Sequence, residues 1–182
     1  FYGDRSGSPG TGMTVFPYPN ARPGRVGNGQ ASAVAFLIPA GAVDYWVDRL
    51  TAEGVDADEP RKRFGDTVIP FRDPDGLPLE LVARADVPAG DPPEGPVPAD
   101  HAVRGFFGVT LSLSDAERTG TLLETMGFEA GVLEGDRRRY VAEGALGYVV
   151  DVVENPDAPS GRPGAGTVHH VAFRVTEATQ AG

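Results

Sequence analysis

The sequence predicts an α+β protein built from repeated βαβββ modules. Three observations lead there. Residues 29–84 and 104–155 show the same order of patterns: an extended run, an amphipathic helix, then three extended runs. Pro- and Gly-rich stretches divide the chain at "PNARPGRVGNG" (19–29), "ARADVPAGDPPEGPVPAD" (83–100) and "ENPDAPSGRPGAG" (154–166). Such composition cannot build a packed core and reads as connection. The two ends of the chain carry patterns that fit parts of the same module.

Taken in order, residues 1–19 ("FYGD…GTGMTVFPYP") read as the last two strands of an incomplete first module. In the second, "ASAVAFLIP" is a strand rich in small and β-branched residues. In "GAVDYWVDRLTAEG", Val43, Trp46, Val47 and Leu50 recur at helical spacing, and Gly54 suits the position after the last turn. "VDADEPRKRFG", "DTVIPFRD" and "LPLELVA" follow as extended runs, the last two joined by the turn "DPDG". Residues 85–103 form a Pro-rich linker. In the third module "FFGVTLSLS" is a strand, Ser114 with Glu117 three residues on is a capping-box signature for the helix "AERTGTLLETM", and Gly127 ends it. "FEAGVLEGD", "RRRYVAEG" and "GYVVDVVE" complete that module. Residues 164–182, "GAGTVHHVAFRVTEATQAG", read as the first strand of a fourth, with Thr176 capping the start of its helix. Four modules are therefore expected in the parent protein, with the middle two whole in this segment.

Composition excludes several functions. With no cysteine, disulfides, thiolate zinc sites, iron–sulfur clusters and cysteine nucleophiles are absent from these 182 residues, so a metal must bind through His, Asp, Glu or water. The formal charge of −10, with Lys62 the only lysine, argues against nucleic acid as a partner. The one basic cluster, Arg137-Arg138-Arg139, reads as a solvated strand edge. No apolar run approaches the about 20 residues a membrane span needs. With no visible signal peptide either, a cytoplasmic location is the expectation.

The βαβββ repeat, with "FRDPDGLPLEL" closing one module and "HHVAFRV" opening another, resembles the vicinal oxygen chelate superfamily of glyoxalases, bleomycin-resistance proteins and extradiol dioxygenases. The order of "GSPGTGMTVFPYP", "RFGDTVIPFRDPDGLPLELVA", "RGFFGVTLSL" and "GAGTVHHVAFRV" is similar to its four-module, hydroquinone-type ring-cleaving branch. This resemblance implies modules pairing into cupped, barrel-like mixed sheets with helices outside. It implies metal ligands at the head of a module's first strand and in the middle of its fourth. Superposing "AVAFLI", "GVTLSL" and "HVAFRV" sets Val34, Val109 and Val171 in register, so Ala33, Gly108 and His170 share the histidine slot. "GLPLELV" and "GYVVDVV" place Glu80 opposite Asp151, and "GTGMTVF" puts Thr14 in the same slot of the first module.

The resemblance thus implies a metal bound through His170, with a second histidine and a carboxylate outside the sequence. Two His and one carboxylate on one face of Fe(II) leave open positions for a phenolic substrate and O₂. Mn, Zn or Ni are the alternative metals, and a homodimer is compatible with the group. Strand alternation puts His170, Ala172 and Arg174 on the face toward the cup, with Thr14 as a further pocket-lining residue. His169 falls with Val171, Phe173 and Val175, where it can support the ligand without being one. The expected function is an Fe(II)-dependent dioxygenase that cleaves a hydroquinone- or catechol-like ring. The alternatives are a glyoxalase-type isomerase or lyase, and a metal-free binding protein. Glu80 and Asp151, in a cup without histidine, read as solvated or salt-bridged. His101 reads as a surface residue and Trp46 as core.

Overall fold

The computed structural model describes residues 1–92 and 94–174. Its centre is one eight-stranded sheet in the order β2-β3-β4-β1-β5-β8-β7-β6. The first complete module contributes β1 (Gln30–Pro39), α1 (Val43–Ala52), β2 (Arg61–Arg63), β3 (Asp66–Arg72) and β4 (Pro78–Arg84). The second contributes β5 (Gly105–Leu113), α2 (Glu117–Thr125), β6 (Glu129–Glu134), β7 (Arg137–Val141) and β8 (Val149–Glu154). Within each module the first strand pairs in parallel with the fourth, and β1 joins β5 antiparallel.

The join is a local two-fold. Val34 pairs with Val109, Ala35 with Gly108 and Ala33 with Thr110. Counting back two residues from each valine gives Ser32 and Phe107, the two extra residues of the ladder. A bulge accelerates twist and bends a strand, so the pair bends the sheet symmetrically. The edges approach at one end: the Phe64 amide beyond β2 donates to Glu134 Oε2 of β6 at 2.7 Å. The result is a cupped α+β half-barrel, with helices on its outer side.

Successive residues of the inner strands face opposite sides of the sheet, and both sides are covered, so β4 and β8 are buried almost throughout. Ile38, Ile69, Leu81 and Ala83 face outward and pack with Leu50, Trp46 and Val47 of α1. Val150, Val152 and Tyr140 do the same with Leu123 of α2. Ala35, Leu37, Val68, Val82, Phe107 and Val149 face into the cup. Each large side chain fully buried this way contributes about 1.5–3 kcal/mol. Helix α2 lies close to the sheet because Gly120 has no side chain; a Cβ there would stand 2.5 Å from the Tyr140 hydroxyl oxygen.

Helix α1 ends as its sequence requires, with Gly54 at φ +66 donating to the Thr51 carbonyl. The start of α2 differs from the capping-box expectation. Ala116 is the N-cap, and Asp115 Oδ1, not Ser114, accepts the Glu117 amide at 2.9 Å. The end of β8 intervenes: Glu154 Oε2 accepts the Ala116 amide at 3.1 Å, which ties the start of α2 to β8. Of "VDADEPRKRFG" only Arg61–Arg63 forms a strand, with one bridge from Ala57 to Phe71 upstream.

The flanks also differ from expectation. Residues 1–19 make a single bridge, Tyr2 to Met13, and residues 168–174 form no strand. A strand needs a hydrogen-bonded neighbour, and among the described residues no segment forms more than isolated backbone contacts with either flank, such as the Phe106 amide donating to the Gly10 carbonyl at 2.8 Å. The expected helix start at Thr176 and the place of Val175 on the apolar face opposite the cup lie outside the described residues. The connections 19–29 and 154–166 run against each other, bridged at Pro23–Ala165, Arg25–Arg162 and Asn28–Ser160. No helix among the described residues is long and apolar enough to cross a membrane.

Candidate functional site

Two places carry the residues singled out in the sequence. The first is the middle cup. Because β1–β4 and β5–β8 pair in matching register, Glu80 lies beside Ala35 and Asp151 beside Thr110. The alignment of Val34 with Val109 and of Glu80 with Asp151 is therefore a property of the fold. Both carboxylates point inward and are buried.

Each is met by arginine. Arg63 donates from Nη1 to Glu80 Oε2 at 2.6 Å and from Nη2 to Oε1 at 2.8 Å. Arg139 donates from Nε and Nη2 to the two oxygens of Asp151 at 2.8 and 3.0 Å, and from Nη1 to Asp66 at 2.9 Å. Arg137 donates to the Thr110 hydroxyl at 2.8 Å and reaches Asp151 at 3.4 Å. The space these groups leave is about 10 Å³, room for about one water.

Arg137 and Arg139 are thus not a solvated edge. Strand β7 lies between β8 and β6, and alternation turns both side chains into the cup. Burial lowers the Arg137 pKa, aided by the nearby Arg63 charge and opposed by Asp151. Burial also acts to lower that of Arg139. There the hydrogen bonds and charges of Asp151 and Asp66 outweigh it, and the pKa is raised. The Arg139 guanidinium lies 4.2 Å from the centre of the Phe64 ring. That contact helps hold Phe64 at φ +49, in a two-residue turn with Gly65 at φ +82. Such a turn favours Asn, Asp or Gly at its first position, so the sequence alone gives no sign of it.

The histidine slots of this cup hold no imidazole. Ala33 fills one. At Gly108 even a Cβ would collide with the Val149 carbonyl oxygen.

The second place is where the two flanks meet. Met13 and Val168 both pack on Val34, Leu77 and Leu79 at the outer face of β1 and β4. This brings the segment of Thr14 beside that of the histidine pair. Phe16 lies 6.3 Å from the His169 ring, and Phe16 and Tyr18 are stacked at 6.4 Å. His169 Nδ1 is 3.0 Å from His170 Nδ1, so one ring donates and the other accepts. Thr14, His169, His170, Ala172 and Arg174 are all exposed. His101 is half-buried, stacked on Tyr45 at 4.5 Å, with its carbonyl accepting the Trp46 indole N–H at 2.9 Å.

Neither place fits a metal centre by itself. Among the described residues no three His, Asp or Glu side chains converge on one point. A non-haem iron face needs three donors, and the flank offers one or two imidazoles.

The family model described as "Glyoxalase/Bleomycin resistance protein/Dioxygenase superfamily" matches residues 4–81. MhqO of Bacillus subtilis, named as a candidate ring-cleaving dioxygenase, is 39% identical over 178 residues, covering 97% of this chain and 56% of that protein. The chlorohydroquinone/hydroquinone 1,2-dioxygenase of Sphingobium indicum is 32% identical over 184 residues, covering 97% of this chain and 57% of its own length. The crystal structure of a B. subtilis protein, titled as a candidate dioxygenase, superposes with a TM-score of 0.86 at 39% identity, over 92% of this chain and 54% of that one. The chain thus spans a little over half the length of the curated relatives it matches. With its paired βαβββ modules, its curled sheet and these similarities along nearly its whole length, the chain belongs to the glyoxalase/bleomycin resistance protein/dioxygenase superfamily.

Proposed function

We propose that this protein is an Fe(II)-dependent dioxygenase that cleaves a hydroquinone- or catechol-like ring, with His170 as one metal ligand. The observation that carries the reading is the similarity to a chlorohydroquinone/hydroquinone 1,2-dioxygenase over 97% of this chain, the His169-His170 segment included. The geometry adds support. His170 is exposed at the flank, free of any ion pair among the described residues, while the corresponding slots of the middle cup hold Ala33 and Gly108. Phe16 and Tyr18, both exposed, give a planar ring a surface for stacking beside the histidine pair. His169, in hydrogen-bond contact with His170, orients its ring. Ala172, Arg174 and Thr14 are the proposed neighbours of the bound ring, and Arg174 supplies a positive charge toward a phenolate oxygen. The other donors of a two-histidine, one-carboxylate face are not among the described residues near His170.

Oxygen uptake tests the reaction class. With hydroquinone or catechol as substrate, about one O₂ is consumed per ring opened. A glyoxalase-type isomerase consumes none, and turnover of a methylglyoxal–thiol adduct without oxygen would replace this reading.

A further inference from the structure

The middle cup holds a charged cluster for which the proposed reaction has no use. Glu80 and Asp151 occupy two-fold-related positions, are both buried, and border the same small void. Two buried carboxylates facing one small space repel, and each needs a countercharge or a proton. Two chemistries meet that need: a shared divalent cation, or fixed guanidinium groups.

The geometry points to the second. Arg63 engages both oxygens of Glu80, and Arg139 engages both oxygens of Asp151. Nothing symmetric produced this. Arg63 comes from the end of β2, whereas Arg139 comes from the middle of β7. The strand position matching Arg139, opposite Glu80, is Pro70. Equivalent carboxylates are thus neutralised from inequivalent positions, which marks the carboxylates as the fixed feature and the arginines as two separate solutions. Nitrogen donors have no room at Gly108.

We infer that Arg63 and Arg139 stand in for a cation, so that the complete two-module cup excludes metal and serves as a charge-balanced scaffold. The inference is independent of the reaction assigned above.

Mn(II) binding followed by electron paramagnetic resonance tests it in a His170→Ala background, where the flank lacks its donor. The His170→Ala protein leaves added Mn(II) free. Adding Arg63→Met and Arg139→Met frees both oxygens of Glu80, leaves Asp151 only its long contact to Arg137, and creates uptake of about one Mn(II), an oxygen-ligand site suited to a hard cation. Mn(II) bound by His170→Ala and lost on Glu80→Gln overturns the inference, as does a folded triple variant that takes up none. Should the triple variant not fold, urea unfolding decides. Arg63→Met alone lowers the folding equilibrium on the order of 100-fold or more, because it strands a buried carboxylate. Arg63→Met/Glu80→Leu recovers to within about tenfold of the parent, since apolar pairs replace buried ion pairs at little cost. Equal losses in the single and double variants overturn the charge-balance reading.

Discussion

Replacing Gly108 by alanine tests the register on which the alignment of the two modules rests. The added methyl would meet the Val149 carbonyl oxygen head-on, with its carbon 2.8 Å from the Val149 carbonyl carbon and 3.0 Å from the Val149 Cβ. Relief requires β5 and β8 to part where Gly108 pairs with Val149, at the head of a ladder running to Leu113 and Glu154. Alanine's lower backbone entropy in the unfolded chain returns only about 0.5–1 kcal/mol. The expected net loss is about 3 kcal/mol, in the range of overpacked cores. Gly41→Ala is the control. Nothing lies within 4 Å of a Cβ at that position, and its cost stays within about 0.5 kcal/mol. Urea unfolding monitored by Trp46 fluorescence reads both. A Gly108→Ala protein within about 0.5 kcal/mol of wild type would refute the packing of Gly108 against Val149.

Other consequences follow from the same contacts. Arg139→Met removes three short hydrogen bonds to two carboxylates and costs about 3–5 kcal/mol, whereas Arg137→Met removes one to a hydroxyl and one long contact and costs about 1 kcal/mol; equal effects in urea unfolding would contradict the assignment. Asn28→Ala frees the connection after β8, because its amide donates to Asn155 and Ala158 carbonyls and accepts from Ser112; faster hydrogen exchange at Gly161 with little change at β1 is the expected signature. Gly120→Ala pushes on the Tyr140 hydroxyl, 2.5 Å from the new carbon, and lowers stability by about 1–3 kcal/mol; Gly120→Ala/Tyr140→Phe recovers part of the loss. The Asp4 carboxyl is held below its usual pKa by hydrogen bonds from Ser8. A lowered folded pKa favours the native loop above the unfolded pKa and loses that effect as pH falls through the folded value. NMR titration of Asp4 should therefore show its midpoint rising in Ser8→Ala.

The module order was legible because its signals are local. Helical spacing in α1, the Gly54 and Gly127 stops, the DPDG turn and the run of small and β-branched residues in β1 each depend on residues near in sequence. The Val34–Val109 register was legible because the repeat compares the chain with itself. What was not legible depends on contacts across the fold. Ser114 loses its cap role to Asp115 because Glu154, thirty-eight residues from Ala116, takes a nearby amide. Arg137 and Arg139 turn into the cup, where Asp151 and Asp66 meet them from other strands. Phe64 adopts a left-handed backbone that its own side chain disfavours, with Arg139 and Glu134 holding it. The strand expected from the histidine pair onward lacks a neighbour to pair with among the described residues, which no periodicity could reveal.

Iron content tests the proposed centre most directly. After anaerobic loading with Fe(II) and removal of excess, the intact protein, with the second histidine and the carboxylate that the reading requires, should retain about one iron. His170→Ala should retain almost none, and Glu80→Gln and Asp151→Asn should keep the wild-type amount. Equal iron in wild type and His170→Ala, or iron lost on changing Glu80 or Asp151, would contradict the assignment of the metal to the flank.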